Sequence, residues 1–183
     1  ASPASGSSAS AGSPAVAGEP RLIVGWARRR SRMRALLVAI RYSHVNTAAS
    51  VTPLVAEATM AMLEAGVRDV RNQGVLMRGV NADVNQLLDL CFALQDGAMI
   101  TPYYFYMCDM IPFSEHWRVS LAEAQRLQHG IMGYLPGFAT PRIVCDVPFV
   151  GKRWVHQAHS YDAVRGISQW TKNYRTSIEA EDT

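Results

Sequence analysis

A chain of 183 residues that is 49% hydrophobic and 18% charged has enough apolar material for one hydrophobic core. Its longest apolar runs, such as 35–40, fall well short of the roughly 20 residues of a membrane helix, so we expect a soluble protein with no membrane partner. The net charge of +3 comes from residues 1–50, which carry +6, whereas residues 51–183 carry −3. Because the arginine-rich stretch 28–34 lacks interleaved aromatic residues and a readable fold motif, the pattern argues against a nucleic-acid partner.

The chain has three cysteines, Cys91, Cys108 and Cys145, which are odd in number and widely spaced. Such a set is typical of reduced thiols in a cytoplasm rather than of a disulfide framework or a zinc cluster. The sequence therefore predicts a cytoplasmic protein and no metal site.

Two regions of different character follow each other along the chain. Residues 1–20 are small, polar and rich in Pro and Gly, a composition that predicts disorder. Residues 21–50 show neither helical periodicity nor alternation, and no element is predicted there. We therefore divide the chain into an atypical leader, 1–50, and a folded part, 51–183.

Three helices are predicted in the folded part. The first begins at Thr52-Pro53, with a hydroxyl at the N-cap and proline at N1, and ends near Gly66. The second is capped by Asp83, has apolar residues at helical spacing and ends at Gly97. The third begins at Ser120, forms a capping box with Glu123 and ends near Gly133.

One strand is predicted after each of these helices, at 73–77, 99–108 and 141–145. We expect the aromatic run 103–106 in the second strand to serve mainly in packing. Regular alternation of helices and strands is typical of an α/β fold with a parallel sheet. The fold class is therefore predicted to be α/β, with parallel strands.

Two acids and a lysine fall where such folds bind ligands, at the carboxyl ends of strands. Asp109 directly follows the second predicted strand, Asp146 the third, and Lys152 lies on the next loop. Neighbouring carboxylates repel unless a cation lies between them, and an organic ammonium is favoured over a metal because the nearest histidine, His116, sits in a looser segment. A partly desolvated Lys152 with a lowered pKa is suited to Schiff-base chemistry. The alternative is that these residues are ordinary turn acids and a solvated lysine.

Several segments, read in order, resemble the C-terminal part of the lysine 2,3-aminomutase family, radical S-adenosylmethionine enzymes that also use pyridoxal phosphate. The matching stretches are NQGVLMRGVN (72–81), PYYFYMCD (102–109), EHWR (115–118), GYLPGFATPRIVCDVP (133–148), GK (151–152) and KNYR (172–175). The resemblance implies the C-terminal part of a partial (β/α) barrel of the radical S-adenosylmethionine type.

The resemblance also implies roles for individual residues. Asp109 and Asp146 match the pair that holds the side-chain ammonium of lysine, so the expected partner is a small basic amino acid. Lys152 matches the catalytic lysine that binds pyridoxal phosphate, and Gln73 lies where a strand end faces S-adenosylmethionine. In the family, a 4Fe-4S cluster and S-adenosylmethionine generate a radical, and the amino group of L-lysine migrates to give β-lysine.

Parts of the sequence depart from the family. The cluster motif C-x-x-x-C-x-x-C is absent, Phe149 and Val150 replace glycines before Lys152, and the match stops abruptly near residue 47. These departures predict a truncated or frame-shifted protein that is inactive alone and, because half a barrel leaves apolar surface exposed, suited to forming a homo-oligomer. The alternative is a non-catalytic remnant that still binds pyridoxal phosphate or a basic amino acid.

Overall fold

The structure, a computed structural model, describes residues 40–172. Three α-helices and seven strands occur there: α1 Pro53–Glu64, α2 Val84–Phe92, α3 Leu121–Ile131, β1 Ile40–Ser43, β2 Asp69–Leu76, β3 Thr101–Met107, β4 Arg142–Val147, β5 Gly151–Trp154, β6 Ser160–Asp162 and β7 Ile167–Gln169. The disorder predicted for residues 1–20 and the end of the KNYR motif lie outside the described residues.

The strands form a five-stranded sheet in the order β1-β2-β3-β4-β5 and a separate two-stranded sheet of β6 and β7. Strands β1 to β4 are parallel to their neighbours, whereas β5 is antiparallel to β4. The α/β class with parallel strands is thus confirmed, and the mostly parallel sheet fits part of a (β/α) barrel. None of the helices within residues 40–172 is long and apolar enough to cross a membrane.

The helix termini follow the predicted local signals. Helix α1 begins at Pro53, and Gly66 lies just beyond its end with a φ of 92° that suits glycine. The Asp83 carboxylate caps α2 by accepting hydrogen bonds from the Asn85 and Gln86 amides. Ser120 and Glu123 form the predicted capping box of α3. Helix α2 continues as a π-helical segment, Ala93–Gly97, up to the predicted end.

The strands differ more from the prediction. Strand β2 begins at Asp69 instead of 73, because Asp69 and Arg71 form an ion pair on one side while Val70 and Asn72 are buried on the other. Strand β1 falls in the stretch with no predicted element. The division of the chain at residue 50 stays a prediction, although residues 40–43 pair with β2.

Buried amides join the segment after β1 to β2. Asn72 is 1% exposed, and its side chain accepts from the Val45 amide at 2.8 Å and donates to the Val45 carbonyl at 2.8 Å. Asn46 accepts from the Val75 amide, and the buried Asn81 donates to the carbonyls of Asn46 and Val75. These bonds satisfy backbone groups that would otherwise be buried without partners.

The hydrophobic core lies between one side of the sheet and the helices, and we call that side the helix face. It includes Val70, Leu76, Phe105 and Ile143, each at most 1% exposed. Phe105 packs over Gly74, where a Cβ atom would lie 2.8 Å from the ring, so glycine permits this close approach. The other side of the sheet is therefore the one available for binding.

Candidate functional site on the polar face of the sheet

Side chains on the side of the sheet opposite the helices define a surface that we call the polar face. Strand register aligns Gln73 with Tyr104, Tyr104 with Arg142, and Asp146 with Lys152. Because side chains alternate along a strand and aligned residues share a side, these residues point to the same side, together with Tyr106 and Val144. The polar face thus includes Gln73, Tyr104, Tyr106, Arg142, Val144, Asp146 and Lys152.

The Lys152 ammonium contacts an acid and two aromatic rings on this face. Its Nζ atom donates a hydrogen bond of 2.8 Å to the Tyr106 hydroxyl and lies 3.7 Å from Asp146 Oδ1. It also lies 4.6 Å from the ring centroid of Tyr106 and 5.6 Å from that of Tyr104. Since the Lys152 side chain is still 41% exposed, an incoming ligand can reach the amine.

These contacts raise the pKa of Lys152, and the predicted lowered pKa is therefore wrong for the ligand-free protein. Partial burial lowers the pKa, but the hydrogen bond to Tyr106 and the negative charge of Asp146 outweigh it. The sequence argument considered only desolvation, because it had no means of placing Tyr106 beside the amine. The nucleophilic neutral form must be generated by removing a proton that these neighbours stabilise.

The structure also corrects the setting of Asp146 and Lys152. Strand β4 runs to Val147, so Asp146 lies within the strand and not after it, and Lys152 lies in β5 and not on a loop. The two residues are directly opposite each other in an antiparallel pair. Their side chains therefore meet as cross-strand neighbours, a closer arrangement than a shared sheet edge provides.

Asp109 lies beyond the end of β3, where it was predicted, and is exposed. Within residues 40–172 its carboxylate has no hydrogen bond or ion pair, while its backbone carbonyl accepts from Arg118. Burial raises the pKa of the Cys145 thiol, and the charges of Asp146 and Asp109 raise it further. Lys152 supplies a cation beside Asp146, and the closeness of Asp109 to Asp146 stays a prediction.

Gln73 is on the polar face but not in the immediate surroundings of Lys152. Its backbone carbonyl is 2.9 Å from His44 Nδ1. Among the described residues no hydrogen bond joins the Gln73 side chain to Lys152, Asp109 or Asp146. The structure therefore brings together Lys152 and Asp146, shows no contact between Asp109 and either of them, and leaves Gln73 two strands away from Asp146.

A cleft of about 720 Å³ opens beside Lys152. Its lining includes Tyr104, Arg142, Val144 and Trp154, together with residues at the end of α3 and in the 137–141 loop. Trp154 is held in place because its indole nitrogen donates to Gln128 Oε1 at 3.2 Å. The volume is in the range of small-molecule and cofactor sites, and aromatic walls with a few polar groups are typical of such sites.

Sequence reasoning missed the tyrosines, Arg142 and Trp154 as site residues. In the aromatic run, Phe105 is 1% exposed in the core, whereas Tyr104 and Tyr106 face the cleft side. The alternation about Phe105 was a usable signal for this division. Trp154 had no such signal, because β5 was not predicted.

The described residues fit pyridoxal phosphate in two respects. A lysine amine stands at a cleft of sufficient volume, and a cationic and an aromatic side chain, Arg142 and Trp154, line it. They do not fit an iron-sulfur cluster: within residues 40–172 there is no group of three or more His, Cys, Asp or Glu side chains that could hold a metal ion. Cys91, moreover, is buried in the core, which raises its pKa to about 12.

Comparison with known proteins gives several sequence relatives. No protein-family model matches the chain. L-lysine 2,3-aminomutase from Fusobacterium nucleatum is 34% identical over 108 residues, covering 58% of this chain and 24% of that protein. The enzymes of the same name from Bacillus subtilis and Escherichia coli are 32% and 30% identical, covering 58% and 64% of this chain and 22% and 33% of their own lengths.

Comparison with solved structures gives a match to a radical SAM methyltransferase from Sphaerobacter thermophilus. Its TM-score is 0.44 and its identity 21%, covering 66% of this chain and 38% of that protein.

The chain thus spans between about a fifth and a third of the length of these aminomutases. Such partial coverage fits a C-terminal portion, as the sequence motifs implied. The predicted resemblance is confirmed: over more than half its length, this chain is similar to part of the L-lysine 2,3-aminomutase family.

Proposed function

We propose that this chain carries the part of a lysine 2,3-aminomutase-like protein that binds pyridoxal phosphate and a basic amino acid. The observation that carries the proposal is the placement of Lys152 at the cleft, hydrogen-bonded to Tyr106 and 3.7 Å from Asp146. Among the described residues, Lys152 combines an accessible amine, a neighbouring acid and aromatic walls. Similarity to proteins named L-lysine 2,3-aminomutase supports a basic substrate.

Lys152 is the covalent anchor in this proposal. Pyridoxal phosphate supplies an aldehyde that a neutral amine can attack and a ring that delocalises electrons. Lys152 must first lose a proton, and its hydrogen bond to Tyr106 orients the amine while favouring the charged form. Loss of the positive charge also removes the ion pair with Asp146, which leaves that carboxylate available to another ammonium group.

Asp146 and Asp109 then serve as the sites for the side-chain ammonium of the amino acid. Two carboxylates recognise an ammonium group by charge, and the exposed position of Asp109 allows a long side chain to reach it. The pair would fix the far end of lysine and so orient the near end toward the cleft. We assign Gln73 a weaker role on the same face, facing S-adenosylmethionine.

Radical generation is not assigned to any residue of this chain. The three cysteines are separated in sequence, and the described residues hold no metal-binding group. Conversion of L-lysine to β-lysine therefore requires cluster ligands from elsewhere. A second candidate function, supported by the same observation, is binding of pyridoxal phosphate or a basic amino acid without turnover.

The chain offers a sharp test of the anchor because it has two lysines, Lys152 and Lys172. Addition of pyridoxal phosphate should produce a Schiff-base absorbance band that sodium borohydride fixes onto Lys152, as peptide mass spectrometry can locate. Lys152→Ala should abolish the fixed adduct at that site, and Lys172→Ala should retain it. An unmodified Lys152 in the wild-type protein, or equal labelling of both lysines and the amino terminus, would contradict the proposal.

The amino-acid site is tested by calorimetry. L-lysine should bind the wild-type protein more tightly than norleucine, which has the same carbon chain but lacks the side-chain ammonium. Asp146→Asn and Asp109→Asn should remove this difference in affinity. Equal affinity for both amino acids would refute the acidic pair as an ammonium site. Anaerobic reconstitution with iron and sulfide then separates the two candidates, since formation of β-lysine by this chain alone would exclude binding without turnover.

A further inference from the structure

Arg142 is a cation of the polar face that the proposed function leaves without a role. Its guanidinium is exposed at the cleft, and within residues 40–172 it forms no hydrogen bond and no ion pair. Most other cations close to the sheet are engaged: Arg71 pairs with Asp69, Arg78 with Glu123, and Lys152 with Asp146. An unpaired guanidinium at a cleft is suited to an anionic ligand group.

The cleft has a positive charge balance. Arg142 and Lys152 both line it, and its lining contains no carboxylate. The charges of both cations reach the Tyr104 phenol, since each of them acts to lower its pKa against the stronger raising effects of the hydrogen bond to Tyr103 and of burial. Tyr104 is in register with Arg142 and its ring centroid lies 5.6 Å from Lys152 Nζ, so it is close to both cations. An anion entering the cleft meets no acid that lines it.

The spacing along the strand suits a ligand with an anionic group at one end and a carbonyl group at the other. Lys152 reaches from β5 across β4 to Tyr106 on β3, and Tyr106 is in register with Val144. Arg142 is two residues before Val144 on the same side of β4, about 7 Å along the strand. Trp154, opposite Val144, provides an aromatic surface between these positions.

We propose that Arg142 binds the phosphate group of pyridoxal phosphate, so that Arg142 and Lys152 hold opposite ends of one planar ligand in the cleft. This inference rests on the proposed function for the identity of the ligand. It goes beyond the proposed function because it names Arg142 as the residue that binds the anionic group of the ligand. A guanidinium binds phosphate through paired N–H donors, and this geometry orients the ring as well as retaining it.

The first measurement compares pyridoxal phosphate with pyridoxal, which has the aldehyde but no phosphate. The wild-type protein should form the Lys152 band at lower concentrations of pyridoxal phosphate than of pyridoxal. Arg142→Gln should weaken pyridoxal phosphate binding by about tenfold or more while leaving pyridoxal binding unchanged. Arg142→Lys should keep part of the preference, and Arg165→Gln, a change at an exposed arginine in the turn between β6 and β7, should have no effect.

A second measurement does not depend on Lys152. In Lys152→Ala, inorganic phosphate should still bind, as monitored by chemical shifts of the Arg142 side chain and of the Trp154 indole, and Arg142→Gln should abolish the change at Trp154. Failure of the wild-type protein to form any band, with phosphate binding that needs Arg142, would refute the anchor and retain the anion site. An equal effect of Arg142→Gln on both aldehydes, or phosphate binding that does not need Arg142, would overturn the inference.

Discussion

The two sides of the central sheet differ in what their side chains do. On the helix face, Leu76, Phe105 and Ile143 are at most 1% exposed and belong to the hydrophobic core. On the polar face, Lys152 and Asp146 are 41% and 47% exposed, and their main partners are charges and phenol groups. Strands β3 and β4 thus contribute to the core from one side and to the candidate site from the other, so stability and reactivity should respond to different substitutions.

Removal of a core side chain should have the largest effect on stability. Phe105→Ala should lower the free energy of unfolding by about 3 to 5 kcal/mol, since it removes a buried ring and leaves a cavity beside Gly74. Urea denaturation followed by circular dichroism measures the change. Phe138→Ala, at a position that is 80% exposed, is the control and should change stability by less than about 0.5 kcal/mol. A similar loss of unfolding free energy in both variants would contradict the conclusion that the helix face provides most of the stability.

Relief of backbone strain in the β4–β5 turn should stabilise the protein. Phe149 has a φ of 60° and is 98% exposed, so its side chain gains little from packing while its backbone adopts a conformation that favours glycine. Phe149→Gly should raise the free energy of unfolding by about 0.5 to 1 kcal/mol, measured by thermal unfolding. Phe149→Ala, which keeps the Cβ atom, should not reproduce the gain, and an equal gain would assign the effect to the exposed ring.

An ion pair beside the helix face should give stability that depends on pH. Burial tends to raise the pKa of Glu123, but the hydrogen bonds from Ser120 and Arg78 outweigh it and lower the pKa to about 2. Because the folded pKa is below the unfolded value of 4.5, the contribution is present above pH 4.5 and is lost as the pH falls toward 2.

Glu123→Gln should therefore cost about 0.5 to 1 kcal/mol at pH 7 and almost nothing near pH 2, since both partners are partly exposed. Urea denaturation at the two pH values measures the change. A cost that does not vary between them would show that the ion pair has no part in it.

A substitution on the polar face should change reactivity while leaving stability within about 0.5 kcal/mol. Tyr106→Phe removes the hydroxyl that accepts from Lys152 and so lowers the pKa of the amine. In the wild-type protein the raised pKa keeps Lys152 charged until the pH is high. The variant should therefore form the pyridoxal phosphate band at lower pH than the wild type. A pH titration of the absorbance measures the shift, and a shift to higher pH would contradict the role of the hydroxyl.

Local signals explain which parts of the fold the sequence could predict. Asp83, Ser120 and Glu123 cap helices through atoms only two or three residues away, so spacing alone identified them. Strand β1 depends instead on Asn72, whose side chain bonds to a segment 27 residues earlier. Strand β5 was missed because it has only four residues and begins with glycine and lysine, which are both depleted in strands.

The candidate site was predictable in its residues more than in its chemistry. Asp109, Asp146 and Lys152 could be chosen from motifs and from their positions relative to the predicted strands, although Asp146 and Lys152 lie within strands. The charge state of Lys152 could not, because it is set by Tyr106, which lies 46 residues earlier in the chain. The role of Arg142 was likewise hidden, since an arginine at the start of a strand is usually solvated.

The number of residues in the turn of the β4–β5 hairpin determines which side chain lies opposite Asp146. Side chains of a strand alternate between its two sides, and the turn between Val147 and Gly151 sets which residue of β5 faces Asp146. If the turn geometry is kept, inserting one residue before β5 would bring Gly151 to the position of Lys152 beside Tyr106, and deleting one residue would bring Arg153 there. The length of the three-residue connection, 148–150, therefore decides whether this protein presents a primary amine to its cleft.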